Sequence, residues 1–399
     1  MKLAQILAVL LVIAIPLSGA NSDPIGALRV FPADNPWNWD ISAHEVHPNS
    51  DNFINSIGAS TTLHPDFGTM WAGAPNGIPY ITVKNSEPKI PITYTAYGDE
   101  SDPGPFPIPL DAPIEGGPTS DGDRHVIAVD TDNKMLYELY RAFPQTSNWE
   151  AMSGAAFDLS INDHHPETWT SADAAGLPIF PGLVRYEEVY IKKEITHALR
   201  FTVENSQRKY IFPARHYASS STDPNRPPMG LRFRLKAGYD ITGFSEPIQV
   251  ILRAFKKHGI IVADNGGDWF ISGAPDDRWD DDVLREIKQL KGSDFEAVKT
   301  VDANGDPIYP TGINHNSADL SQEKPEILIC HDPIRSVVLI QLNKMASGTI
   351  KLVDISGKIQ ASKKVTSKLL YFNISKLNSG IYLLNFPACT FLTPLIIYR

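Results

Sequence analysis

The sequence predicts a mainly β protein with some α+β character: a β-sandwich or jelly-roll-like body, then a small C-terminal β-sandwich. Three observations carry this expectation. Short alternating or apolar runs recur along the chain, and the 32 prolines and 27 glycines punctuate them with turns. Strand patterns mostly follow strand patterns, with few helical ones between them. A hydrophobic fraction of 42% suits a packed globular chain, and 399 residues leave room for two or three domains.

The chain opens with Met1 and Lys2, an apolar run over 3–15, then Pro16 and Ser18-Gly19-Ala20. That order predicts a cleavable signal peptide over 1–20. The run is shorter than the roughly 20 apolar residues a bilayer span needs. No cysteine follows the expected cleavage site, so a lipid anchor there is not expected, and no later segment has the length of a membrane span.

The body is expected over 24–300. Strand patterns occupy 79–83, 90–97, 125–130, 135–140, 197–203 and 231–236. Ser171-Ala-Asp-Ala-Ala predicts the start of a capped helix. Ile248, Ile251, Leu252 and Phe255 predict an amphipathic helix over 246–258, stopped by Gly259. A second is expected over 281–290, with Val283, Leu284, Ile287 and Leu290 on one face. Residues 301–326 are polar and rich in turn formers, which predicts a linker.

The tail, 327–399, alternates short apolar runs with turns such as Ser347-Gly348 and Ser356-Gly357-Lys358 at about ten-residue spacing, as a small sandwich does. Its phrases I-K-L-V-D-I-S-G-K (350–358) and F-N-I-S-K-L-N-S-G-I-Y-L-L (372–384) resemble the C-terminal sorting domain of type IX secretion substrates. The likeness covers about 60 residues. That family closes on a short lysine-rich strand, whereas this chain ends F-L-T-P-L-I-I-Y-R. The resemblance implies an address read by the secretion machinery and a secreted or cell-surface protein, with chemistry confined upstream.

The body in turn resembles a family of exported bacterial proteins without an assigned activity. The likeness rests on H-P-D-F-G (64–68), D-E-S-D-P-G-P (99–105), G-D-R-H (122–125), T-S-A-D-A-A-G-L-P-I (170–179), P-A-R-H (213–216) and A-D-N-G-G-D-W-F-I-S-G (263–273). It implies one continuous domain and brings no mechanism.

The net charge of −10 is uneven. Residues 325–399 hold nine Lys/Arg against three Asp/Glu, leaving 27 against 43 upstream. Such asymmetry marks separate modules, and an acidic body argues against a nucleic-acid partner. The two cysteines, Cys330 and Cys389, either pair or stand as buried thiols.

No phosphate loop, nucleophile elbow, zinc-protease helix or Cys-x-x-Cys is present. Acids, histidines, arginines and tryptophans cluster instead in turn-like phrases, where sites on β scaffolds lie. Asp123, Arg124 and His125 stand at the mouth of the 125–130 strand. Glu115 precedes two glycines that would let a ligand approach closely. Asp264 and Asp268 flank an Asn-Gly-Gly turn beside Trp269. Sugar-cleaving enzymes work with a carboxylate pair, so Asp123, His125, Asp264, Asp268 and Glu115 are the catalytic candidates. Arg124, Arg215, His216, Trp269 and Trp279 are the substrate-binding candidates. Each also has a plain structural reading, as turn, surface ion pair or sandwich plug.

The acidic run 276–282 offers oxygens for Ca²⁺ but lacks EF-hand spacing, and its acids already suit a helix N-terminus. No cofactor is expected. His64, Asp66, His125 and His216 form one conceivable metal grouping.

Three readings follow: a carbohydrate-active hydrolase acting on extracellular polysaccharide, a non-catalytic glycan-binding or surface protein, and a metal-dependent hydrolase. Cleavage after Ala20 predicts a mature N-terminus at Asn21, which intact mass spectrometry of the exported protein reads directly.

Overall fold

The computed structural model describes residues 24–310 and, in the tail, 327–332, 337–342, 349–354, 358–364, 369–374, 377–385 and 392–397. The expected signal peptide, most of the expected linker and Cys389 lie outside the described residues. The chain divides into two compact units, 1–313 and 314–399.

The first unit runs α1 (Ser50–Ile57), β1 (His64–Asp66), β2 (Met70–Trp71), β3 (Ala74–Pro75), β4 (Tyr80–Val83), β5 (Ile92–Tyr94), β6 (Val126–Asp130) and β7 (Met135–Tyr140). It continues with β8 (Phe143–Pro144), β9 (Trp149–Ala151), β10 (Ser153–Asp158), β11 (Leu199–Val203), β12 (Arg232–Leu235) and α2 (Glu246–Lys257). β13 (Ile260–Asn265), β14 (Phe270–Ser272), α3 (Asp281–Leu284) and β15 (Phe295–Val298) complete it. A six-stranded sheet has the order β1-β14-β11-β13-β12-β15, and a four-stranded one β10-β7-β6-β4. A small sheet joins β5, β9 and β8.

The mainly β class holds, but the pairing is mixed. β1 with β14, β11 with β13, β4 with β6, and β5 with β9 run parallel. Between the parallel partners β11 and β13 the chain passes through β12 and α2. Parallel neighbours need such long connections, whereas hairpins give antiparallel ones.

The expected helix 246–258 forms as α2, with Ile248, Ile251, Leu252 and Phe255 all buried. Gly259 ends it at φ 72°, where a Cβ would meet the Phe233 carbonyl at 2.3 Å. The helix expected from 281 is α-helical only to Leu284 and continues as a 3₁₀ segment over 285–289. No helix forms from Ser171. The Ser171 hydroxyl accepts from Asp173 N at 2.9 Å and donates to the Leu177 carbonyl at 2.6 Å, closing turns in place of a helical ladder.

Alternation along the four-stranded sheet serves two cores. Ile127, Val129, Leu136, Ala155 and Phe157 face the main core, shared with Phe201, Phe233, Ile251 and Phe255. Val126, Ala128 and Leu139 face the other way, onto Phe106, Ile108 and Trp149. Residues 301–310 stay with this unit: Tyr309 lies edge-on to Trp39, with ring centroids 5.1 Å apart.

The tail forms β16 (Ile327–Asp332), β17 (Val337–Leu342), β18 (Thr349–Asp354), β19 (Ile359–Lys364), β20 (Leu369–Asn373), β21 (Gly380–Asn385) and β22 (Leu392–Ile397). Sheets β16-β17-β20 and β19-β18-β21-β22 close on Val338, Ile340, Ile350, Leu352, Leu370, Phe372 and Leu384. The closing phrase of the chain supplies β22, paired along β21.

Trp269 and Trp279, expected to present stacking faces, lie in the core at 0% and 4% exposure. Trp269 stacks on Phe201 at 5.4 Å and donates to the Gly58 carbonyl at 3.0 Å. Trp279 donates to the Ala274 carbonyl at 3.0 Å and packs edge-on to Phe67. Trp269→Ala should therefore cost about 3–5 kcal/mol of stability, measured by chemical denaturation, since it opens a large cavity.

Candidate functional site

Register builds the site. Asp66 on β1 pairs with Ser272 on β14, and the adjacent Ile271 pairs with Phe201, which puts Arg200 level with Ser272. Paired residues share a face of the sheet, so Asp66, Ser272 and Arg200 form a row across three strands. Arg200 Nη1 donates to Ser272 Oγ at 2.8 Å along that row. β13 adds Asp264 through a bulge. Phe201 is level with Val262, but Thr202 is level with Asp264, so Ala263 is an extra residue. Without it Asp264 would lie on the opposite face; with it, its Oδ2 stands 3.8 Å from Arg200 Nη2.

The second sheet presents a matching row. Ser153 pairs with Tyr140, and the Tyr140 ring lies 5.6 Å from that of His125, just before β6. The segment 168–177 is bonded to both rows. Ser153 Oγ donates to Ser171 O at 2.7 Å, and His125 Nε2 to Ala172 O at 3.0 Å. Arg200 Nη2 donates to Asp173 Oδ1 at 3.2 Å. Outer contacts hold the same segment. Thr170 N donates to Glu100 at 3.0 Å, His165 bridges Asp102 and Thr170 O, and His216 Nδ1 donates to Ala174 O. Glu138, fully buried on the inward face of β7, accepts the N–H groups of Ile179 and Phe180.

Charges here are set by competition between burial and neighbours. Burial alone would lower the His125 imidazolium, but the Glu115 carboxylate 2.6 Å away overrides it and raises the group to about 9. The geometry agrees: both ring nitrogens face oxygen acceptors, so both carry protons. Burial would raise Glu115, yet His125 holds it below its usual range. Asp264 moves the other way. Burial first, and then the charge of Asp173, raise it to about 7 against the pull of Arg200. Asp173 is also raised by burial, so two carboxyls share one guanidinium and a proton is retained between them near neutrality. Burial also raises Glu138 to about 7. Glu115 and Asp264 keep 25% and 22% side-chain exposure, and Asp66 is exposed, so these three carboxyls line the open side.

Among the expected catalytic residues, Glu115, His125 and Asp264 stand together around Arg200. Asp123 is exposed beside them, and its charge acts on both His125 and Tyr140. Asp268 stands apart, accepting from Glu204 N at 2.8 Å. Among the expected binding residues, Arg124 is 2% exposed and spends its guanidinium on the carbonyls of Pro118, Ser120 and Ala142. Those bonds hold the loop that carries Glu115. Arg215 is paired with Glu167, and His216 stacks on Tyr217. Four of the acids in 276–282 have partners: Asp280 caps α3, Asp281 binds Thr69, Asp276 pairs with Arg278 and Asp282 with Arg285. Among the described residues, no group of three or more His, Cys, Asp or Glu is placed to hold a metal ion, including the grouping of His64, Asp66, His125 and His216.

Arg200, Asp173, Tyr140 and Glu138 escaped the sequence reading. Arg200 and Glu138 did carry a signal, since each is a lone charge in an otherwise apolar or aromatic strand. Asp173 carried none, because small neighbours suggested a helix.

The tail defines a class: an exported protein with a secretion address at its rear. Residues 332–390 match the family described as the secretion system C-terminal sorting domain. The chain is therefore a type IX secretion substrate, destined for the cell surface or the medium. No curated protein and no solved structure matches the chain. Among the described residues no helix is long and apolar enough to cross a membrane.

Two measurements test this arrangement. Arg200→Met should destabilise the fold by about 3–5 kcal/mol, because it leaves Asp173 and Asp264 buried without their counter-charge. An NMR titration should find His125 protonated up to about pH 9, and Glu115→Gln should drop it below the ordinary histidine range as burial takes over. Its raised pKa means that His125 contributes stability fully below about pH 6.5, lost as pH rises towards 9.

Proposed function

We propose that the body is an extracellular polysaccharide hydrolase, with Asp264 as proton donor and Glu115 as the ionised carboxylate. One observation carries this reading: two partly open carboxyls beside one buried arginine are pushed in opposite directions, Asp264 up to about 7 by burial and Asp173, Glu115 below its usual range by His125. Paired carboxyl groups whose surroundings separate their pKa values are what acid-assisted glycosidic cleavage needs. In that step Asp264 gives its proton to the bridging oxygen as the C–O bond breaks. Glu115 either takes a proton from the attacking water or bonds the anomeric carbon itself. Its Oε2 is held by His125, while Oε1 has no hydrogen-bond partner among the described residues and is left for the reaction. His125, with both nitrogens engaged, is a positioning residue: it keeps Glu115 ionised and aimed.

The expected pH profile is a bell, with its alkaline limb near 7 as Asp264 loses its proton. Glu115→Gln and Asp264→Asn should each lower turnover of a responsive polysaccharide at least about a hundredfold, with the fold retained by circular dichroism. Unchanged turnover in both variants overturns the assignment. Retention on glycan by the wild-type protein with no product released favours a non-catalytic binding protein instead.

A further inference from the structure

The large hydrophobic side chain most exposed in the body is Trp71, at 75%. It projects from the hairpin β2–β3, whose two turn residues, Ala72 and Gly73, both have positive φ, at 51° and 86°. A turn of that kind matches the natural twist of a hairpin, but it places an alanine in the strained left-handed region. The base of the hairpin is fastened on three sides. Gly68 N donates to Asn76 O at 3.0 Å, Asn76 N to Thr69 O at 3.2 Å, and Thr69 N to Asp281 Oδ1 at 3.0 Å. The indole is thus held out in water by a pinned scaffold.

Its position connects it to the acid row. The hairpin follows Asp66 by four residues, and a Cβ at Gly117 would stand 3.6 Å from the Ala74 Cβ. Gly117 lies two residues beyond Glu115. A second exposed ring, Tyr97 at 46%, flanks the row at Tyr140. Tyr97 N donates to Met152 O, and Met152 N to Tyr140 O, both at 2.9 Å.

Resting on the hydrolase reading, we propose that Trp71 and Tyr97 are sugar-stacking subsites flanking the acid row, and that the substrate is a neutral polysaccharide chain spanning several rings. A pyranose ring presents C–H groups on its faces and hydroxyls round its edge. Flat aromatic rings cover the former, and carboxylates such as Asp66 and Asp123 accept from the latter. The open acids of the row would repel a polyanionic chain, which excludes uronate polymers.

The test uses the mature full chain carrying Glu115→Gln, which binds without turnover, on insoluble cellulose, xylan and chitin, with alginate beads as the acidic control. Retention on at least one neutral polymer and none on alginate is expected. Adding Trp71→Ala should weaken retention about tenfold, and Trp71→Phe should restore most of it. Both variants should keep the parent's melting temperature, because the side chain is exposed. N-bromosuccinimide oxidation followed by mass spectrometry gives an independent readout, with Trp71 protected by the bound polymer. Undiminished retention in Trp71→Ala and Tyr97→Ala, or oxidation of Trp71 unaffected by polymer, overturns the subsites. If Glu115→Gln still abolishes turnover in that case, the hydrolase reading stands without them. Retention on none of the neutral polymers overturns the substrate class.

Discussion

The guanidinium of Arg200, 2% exposed and placed between the carboxyls of Asp173 and Asp264, is the interaction on which this body depends. Removing three such groups from water costs several kcal/mol each unless they face one another in good geometry. That geometry draws on distant parts of the chain: a strand residue, a bulged neighbour and a turn held over the sheet. Each must be in place before any of the three is tolerable.

The surrounding polar contacts have the same logic. Glu100, Asp102, His165 and His216 hold the segment 168–177, and Glu138 accepts from the backbone that follows it. Arg124 similarly holds the loop of Glu115. Support of this kind stands behind Asp66, Asp123, Glu115 and Asp264, which face outward. The geometry of the open side therefore rests on the residues behind it.

Much of the fold was legible in the sequence, and part of the site. Strands 125–130 and 135–140 are short apolar or alternating runs, β6 being buried on both faces, and the helix from 246 carries the helical apolar period of its one buried face. Glu115, His125 and Asp264 stood out as charged residues in turn phrases. The two indoles chosen as stacking faces misled because polar neighbours suggested loops open to water. Trp269 instead ends a turn whose tip points outward while its ring points into the core. Trp71, beside glycine and alanine, carried no stronger signal than the other six, of which five are buried and Trp169 is half-buried, and it is the exposed one.

The sequence by itself determined the rear address and the sandwich that bears it, along with the principal strands and the amphipathic helix. These are local patterns, written in neighbouring residues and needing no knowledge of distant partners. Tertiary structure alone decided which charges meet. A one-residue bulge at Ala263 turns Asp264 toward Arg200, and register sets Asp66 level with Ser272. Alternation has a period of two, so a slip of one residue anywhere in that sheet would send an acid to the opposite face. No short window of sequence contains that choice, because it belongs to strands separated by up to some two hundred residues.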